Sequence, residues 1–151
     1  MRAKIRILTL IAVSLLSACA VPPASTAAQH NNVPQATQIT QMIGSWLLVE
    51  LNGVPLGANI RPASLNIDGT RLHGSSGCNH YFGTLGGTMA NLSFSQLGAT
   101  KMACLNEDVL INEHTYFNVL GAAKSATISQ YRLSLYDANG VKTAVFVLTP
   151  D

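Results

Sequence analysis

Three dipeptides limit most strongly what this chain can fold into. Asn52-Gly53, Asp68-Gly69 and Asn139-Gly140 each follow a short strand-like run. Asn-Gly or Asp-Gly between such runs is the strongest local signal for a tight hairpin, because the turn needs left-handed backbone that these residues tolerate. The runs cover residues 46–51, residues 64–67 with 71–74 as their return, and residues 131–136 with 143–148. Residues 90–97 and 127–129 alternate in the same way. The stretch Cys78-Asn79-His80-Tyr81-Phe82-Gly83 is rich in aromatics and bracketed by Gly74, Gly77, Gly83, Gly86 and Gly87. Glycines at this density predict bulges and tight turns in curved antiparallel strands, and Gly86-Gly87 itself reads as a turn.

One helix interrupts the strands. Asn106 is its expected N-cap, with Glu107 and Asp108 in the first turn, where the helix dipole favours acids. Val109, Leu110, Tyr116, Phe117 and Leu120 give an apolar face, and Gly121 is the expected stop. The predicted fold class is α+β: a strongly curved antiparallel sheet, a partial barrel, with one packed helix.

The N-terminal segment obeys different rules. Arg2, Lys4 and Arg6 precede an uncharged, mostly apolar run over residues 7–18. That run is too short for a bilayer, which takes about 20 residues, but suits the apolar region of a signal peptide. The chain has 9 basic and 7 acidic residues, a net +2, and 48% hydrophobic content. Removing residues 1–18 leaves 6 basic against 7 acidic, a net of −1. The basic excess therefore belongs to the leader, and no nucleic-acid partner is expected.

The sequence Leu16-Ser17-Ala18-Cys19 resembles the lipobox of bacterial lipoproteins: a branched apolar residue, two small residues, then cysteine. The resemblance implies a signal peptide over 1–18, cleavage before Cys19, and lipid (diacylglyceryl and then acyl chains such as palmitate) on Cys19. An ordinary signal peptide with a small-x-small cleavage site is the alternative. Each buried methylene contributes about 0.8 kcal/mol, so several chains would hold the protein to a membrane. Ala20 after the cysteine favours the outer membrane by the sorting convention of enteric bacteria. Residues 20–41 hold Pro22, Pro23 and Pro34 among small and polar residues with no charge, the composition of a flexible spacer. The expected organisation is a signal peptide over 1–18, a lipidated tether over 19–41 and a folded domain over 42–151.

Within that domain, Gly44-x-Trp46 with Asn52-Gly53 and Pro55, Gly74-x-x-Gly77-Cys78-Asn79-x-Tyr81-x-Gly83, and Thr100-x-Met102-Ala103-Cys104 occur in order. Glu113, Tyr116 and Leu120 follow, then Leu133-x-Leu135 with Asp137 and Gly140. The series resembles the META domain family of HslJ-like bacterial lipoproteins. The resemblance implies an envelope protein, in a family linked in part to heat stress and novobiocin tolerance. It brings no catalytic residues with it.

With Cys19 assigned to lipid, Cys78 and Cys104 remain, and one intramolecular pairing exists. In an oxidising periplasm they are expected to form a disulfide; closing about 27 residues would stabilise the fold by roughly 3.5 kcal/mol. Two buried reduced thiols are the alternative. His73, Cys78, His80 and Cys104 fall in no CxxC or HExxH arrangement, so neither a metal nor another cofactor is expected. His30 falls in the tether, and His114 reads as an exposed helix residue. The seven acids are scattered with no pair placed for acid–base work. Glu113 interrupts the apolar face of the helix and is expected to be buried and hydrogen-bonded, capping a strand end. Tyr81, Phe82, Tyr116 and Phe117 read as core, with a ligand groove as the alternative.

These features point to a non-enzymatic lipoprotein of the bacterial envelope, expected to be anchored through Cys19 at the outer membrane on its periplasmic side. Its expected role is envelope integrity under stress, through an unidentified protein or small apolar ligand. The alternative is a lipid-anchored inhibitor of a secreted hydrolase such as a lysozyme or protease.

Overall fold

The computed structural model describes residues 38–103 and 107–150, with residues 107–111 described by their backbone alone. A short 3-10 turn, Ile39–Met42, opens the domain, and its first three residues fall in the segment assigned to the tether. Met42 is fully buried, and its carbonyl accepts the Trp46 indole N–H at 2.8 Å. A buried Trp needs such a partner for its one donor, which anchors the domain's first residues to the core.

Among the described residues nine strands follow: β1 (Gly44–Leu51), β2 (Val54–Pro55), β3 (Ser64–Asp68), β4 (Arg71–Ser75), β5 (His80–Thr88), β6 (Asn91–Ala99), β7 (Ser125–Ser129), β8 (Arg132–Tyr136) and β9 (Lys142–Leu148). Helix α1 (Glu107–Ala122) lies between β6 and β7 in the chain. The sheet runs β6-β5-β4-β3-β1-β9-β8-β7, with β2 paired to β1, and every pairing is antiparallel. The last strand thus inserts beside the first, in the middle of the sheet. At one end the two edge strands meet: Leu92 N–H donates to the Lys124 carbonyl, and Ala126 N–H to that of Met89, both within 2.8 Å. The sheet is a curled partial barrel, as its hairpin signals and dense glycines predict.

Alternation along the strands fills its interior. Trp46, Leu48, Leu65, Ile67, Leu72, Leu85, Leu92, Leu133, Leu135 and Phe146 share one cluster with Tyr116, Val119 and Leu120 of α1. Two faces of secondary structure, neither stable alone, bury each other.

Several local expectations are corrected. Gly86 and Gly87 lie within β5, paired with Ser93 and Leu92, and the turn falls at the two residues between Thr88 and Asn91. Gly121 does not stop α1, which continues to Ala122 and closes when Ala123 N–H bonds back to the Val119 and Leu120 carbonyls. Tyr131 is not in a strand: with Gln130 it forms the β7–β8 turn, both at positive φ (49° and 61°). The β2 strand had no signal beyond its turn, since two residues show no alternation. The expected cap Asn106 lies outside the described residues, as do the side chains of Val109 and Leu110.

Candidate functional site

The Gly74–Gly83 segment carries the densest polar structure of the domain. Its first element is a close approach. A Cβ on Gly74 would lie 2.0 Å from the Ser64 carbonyl oxygen and 2.9 Å from the Tyr81 ring. The missing side chain lets the Tyr81 hydroxyl donate to that same carbonyl at 2.8 Å. The Tyr116 hydroxyl sits 2.6 Å from the Tyr81 hydroxyl. Tyr81 has already given its proton to Ser64, so Tyr116 is the donor between them. The rings of Tyr81, Tyr116 and Phe117 contact one another, and Phe146 contacts Tyr116, with centroids 5.5–6.3 Å apart. Burial pushes both tyrosine hydroxyls above their ordinary ionisation range; the hydrogen bond from Tyr116 partly offsets this at Tyr81, while at Tyr116 the neighbouring Tyr81 adds to it.

Beyond this ring cluster, the β4–β5 loop folds around Asn79, which is 4% exposed. The Asn79 amide nitrogen donates to both oxygens of Glu113 on α1, at 2.8 and 3.0 Å, and its backbone N–H adds a third bond at 3.1 Å. Ser76, also buried, donates its hydroxyl to the same carboxylate. On the other side, the Asn79 amide oxygen accepts from the Thr100 hydroxyl and the Met102 backbone N–H, each at 2.8 Å. One asparagine therefore joins the β4–β5 loop, helix α1 and the segment leaving β6. Among the described residues no buried side-chain polar atom is left without a partner.

The chemistry of this arrangement is that of a latch. The Glu113 oxygens are directed at fixed donors, and the Ser76 hydroxyl is buried against them with no histidine in reach of the described contacts. Glu113 occupies the hydrogen-bonded position expected of it, although it secures a loop and not a strand end. The sequence pattern gave no sign of Ser76 as a partner of Glu113; the Gly-Cys-Asn motif and Thr100-x-Met102 pointed to the place without showing that Thr100 meets Asn79.

The other candidate residues are dispersed. His73 and His80 are exposed, and His114 is exposed on α1 with its Nδ1 3.2 Å from the Asn118 amide nitrogen. Among the described residues no three His, Cys, Asp or Glu side chains are grouped to hold a metal. Tyr81 and Tyr116 are core, Phe117 packs against it, and Phe82 lies outside, 64% exposed, over Gly98. Cys78 is half-buried in the latch loop. Cys104 and the lipidation candidate Cys19 lie outside the described residues, as does His30. No helix among the described residues is long and apolar enough to cross a membrane.

Shallow grooves mark the surface. One, of about 250 Å3, lies between the β1–β2 hairpin and α1 and is lined by Leu51, Val54, Pro55, Leu56 and Ile60. Another, of about 380 Å3, runs beside Phe82, His73 and Arg71.

Comparison with known proteins agrees with the fold. A protein from Burkholderia xenovorans solved by NMR is 25% identical, with a TM-score of 0.60, covering 87% of this chain and 99% of its own. A second NMR structure is 21% identical (TM-score 0.57, covering 72% of this chain and 92% of its own). A crystal structure of a DUF4847 family protein from Bacteroides vulgatus is 13% identical, with a TM-score of 0.51, covering 72% of this chain and 94% of its own. These last two share the fold alone. Curated proteins give no match. The model of the META domain matches residues 38–149, which takes in the opening turn, the Asn79 latch and the terminal hairpin. The chain belongs to the META domain family.

Proposed function

We propose that this chain is a non-enzymatic lipoprotein of the bacterial envelope, whose META domain acts at the outer membrane by binding a partner that helps maintain the cell surface under stress. Supporting the non-enzymatic reading is the Asn79 latch: the polar side chains of the most distinctive motif are engaged with one another and hold structure together. The basic and apolar leader that ends in Leu16-Ser17-Ala18-Cys19 supports the anchor. A disulfide between Cys78 and Cys104 belongs to the same reading, because it suits an oxidising compartment.

The test is genetic and chemical together. Loss of the gene should increase sensitivity to heat or to a bulky antibiotic such as novobiocin. The wild-type gene should restore tolerance and incorporate labelled palmitate, whereas Cys19→Ala should do neither fully. Complete rescue by the unlabelled Cys19→Ala protein would refute a role at the membrane. For the disulfide, unreduced peptide mapping should show Cys78 linked to Cys104; alkylation of both in native extract would refute it.

A further inference from the structure

The outer surface of β7, β8 and β9 departs from regular sheet at three places around one groove. Between β1 and β9 the register shifts so that Val49 is extra and Glu50 stands opposite Val145. Between β8 and β9 it shifts again at Thr143, which brings Lys142 opposite Tyr136. The β7–β8 turn supplies the third departure, with Gln130 and Tyr131 both left-handed although neither is Gly, Asn or Asp. Bulges re-aim side chains, and strained non-glycine backbone persists where the surroundings hold it, often at sites of function.

These irregularities surround a groove of about 240 Å3 that includes Thr127, Arg132, Ser134, Tyr136, Lys142 and Val145. Val145 is 2% exposed, yet it stands apart from the interior cluster. It is the floor of the outer groove. Above it, Arg132 makes no ion pair among the described residues, and Lys142 is held only loosely by Glu50, at 3.9 Å. The Thr127 and Tyr136 hydroxyls lie 3.2 Å apart at the same face. A groove with two cations, one carboxylate and several hydroxyls carries a local net positive charge in a domain whose mature chain is slightly acidic.

We propose that this groove binds a small polar molecule through a phosphate group, with Arg132 and Lys142 as the cationic contacts and the hydroxyls of Thr127, Ser134 and Tyr136 completing the set. Phosphate fits better than carboxylate because its three outer oxygens accept from several donors at once. The phosphate could belong to a free metabolite or to a lipid headgroup, and the test separates them.

Titration of the full chain with glycerol 1-phosphate should give saturable NMR shifts confined to residues 127–136 and 142–145. Arg132→Gln should weaken binding about tenfold, while Arg61→Gln, an exposed arginine elsewhere, should leave it unchanged. Vesicles of phosphatidylglycerol in phosphatidylcholine should bind in an Arg132-dependent way if the source is a headgroup; saturation by glycerol 1-phosphate without that dependence assigns a free molecule. Linear, unsaturable shifts, equal response to acetate, or no effect of Arg132→Gln would each overturn the site.

Discussion

Tyr81 and Tyr116 share one chain of donors, and its direction sets unequal consequences for two similar substitutions. Tyr116 donates to Tyr81, which donates to the Ser64 carbonyl. Tyr81→Phe leaves the buried Tyr116 hydroxyl and the carbonyl both short of a partner, and should cost about 2–4 kcal/mol. Tyr116→Phe removes only the terminal donor and should cost about 1 kcal/mol. Urea unfolding of both variants checks the order, and the reverse order would show that the Tyr81 hydroxyl is not the link on which the other two groups depend. The same pair predicts a response to alkali. Burial raises both hydroxyls above their ordinary value of 10.0, so between there and the folded value the unfolded chain loses protons that the native state retains. Their contribution is complete below pH 10 and falls as pH rises beyond it. Wild-type stability should decline above about pH 10, and less steeply in Tyr116→Phe.

At the scale of elements, two glycines should respond with opposite sign. Gly74→Ala would drive a methyl into the Ser64 carbonyl and part β3 from β4, at a cost of about 2–4 kcal/mol. Gly121→Ala meets nothing within 4 Å in the last turn of α1 and should stabilise by about 0.5–1 kcal/mol. Thermal unfolding decides both; a neutral Gly74→Ala would show that the strands yield there. These elements also show what sequence can convey. Asn52-Gly53 produces the expected hairpin because its own backbone preferences suffice: both residues take positive φ, with Leu51 paired to Val54. Gln130-Tyr131 takes the same left-handed form without any such preference, since the pairing of β7 with β8 imposes it. Gly86-Gly87 misleads for the converse reason, being bound into β5 by its partners on β6. Glu113 could be recognised as a hydrogen-bonded acid from the apolar residues around it, although it is only half-buried. Its donors could not, because Ser76 lies 37 residues away and meets it only through the fold.

Across the whole molecule, the latch and the Cys78–Cys104 disulfide would act on the same joint. Asn79 ties Glu113 of α1 to the β4–β5 loop and to Met102, two residues before Cys104. The proposed disulfide would close about 27 residues and contribute roughly 3.5 kcal/mol through the unfolded chain. The latch acts instead in the folded state, and Asn79→Ala should cost about 2–4 kcal/mol, because it strands a carboxylate among donors it has lost. If the two held independent parts of the barrel, reduction and Asn79→Ala would sum. Both restrain the path from β6 into α1, however, so once the covalent link is cut that segment can move away, and the native latch loses part of its preorganisation. The expected outcome is that Asn79→Ala costs at least 0.5 kcal/mol less in the reduced protein than in the oxidised one, a coupling typical of groups in contact. Urea unfolding of both sequences with and without a reductant closes this cycle. Additive losses would show that the latch keeps its geometry without the disulfide, leaving the polar network alone to hold α1 to the β4–β5 loop.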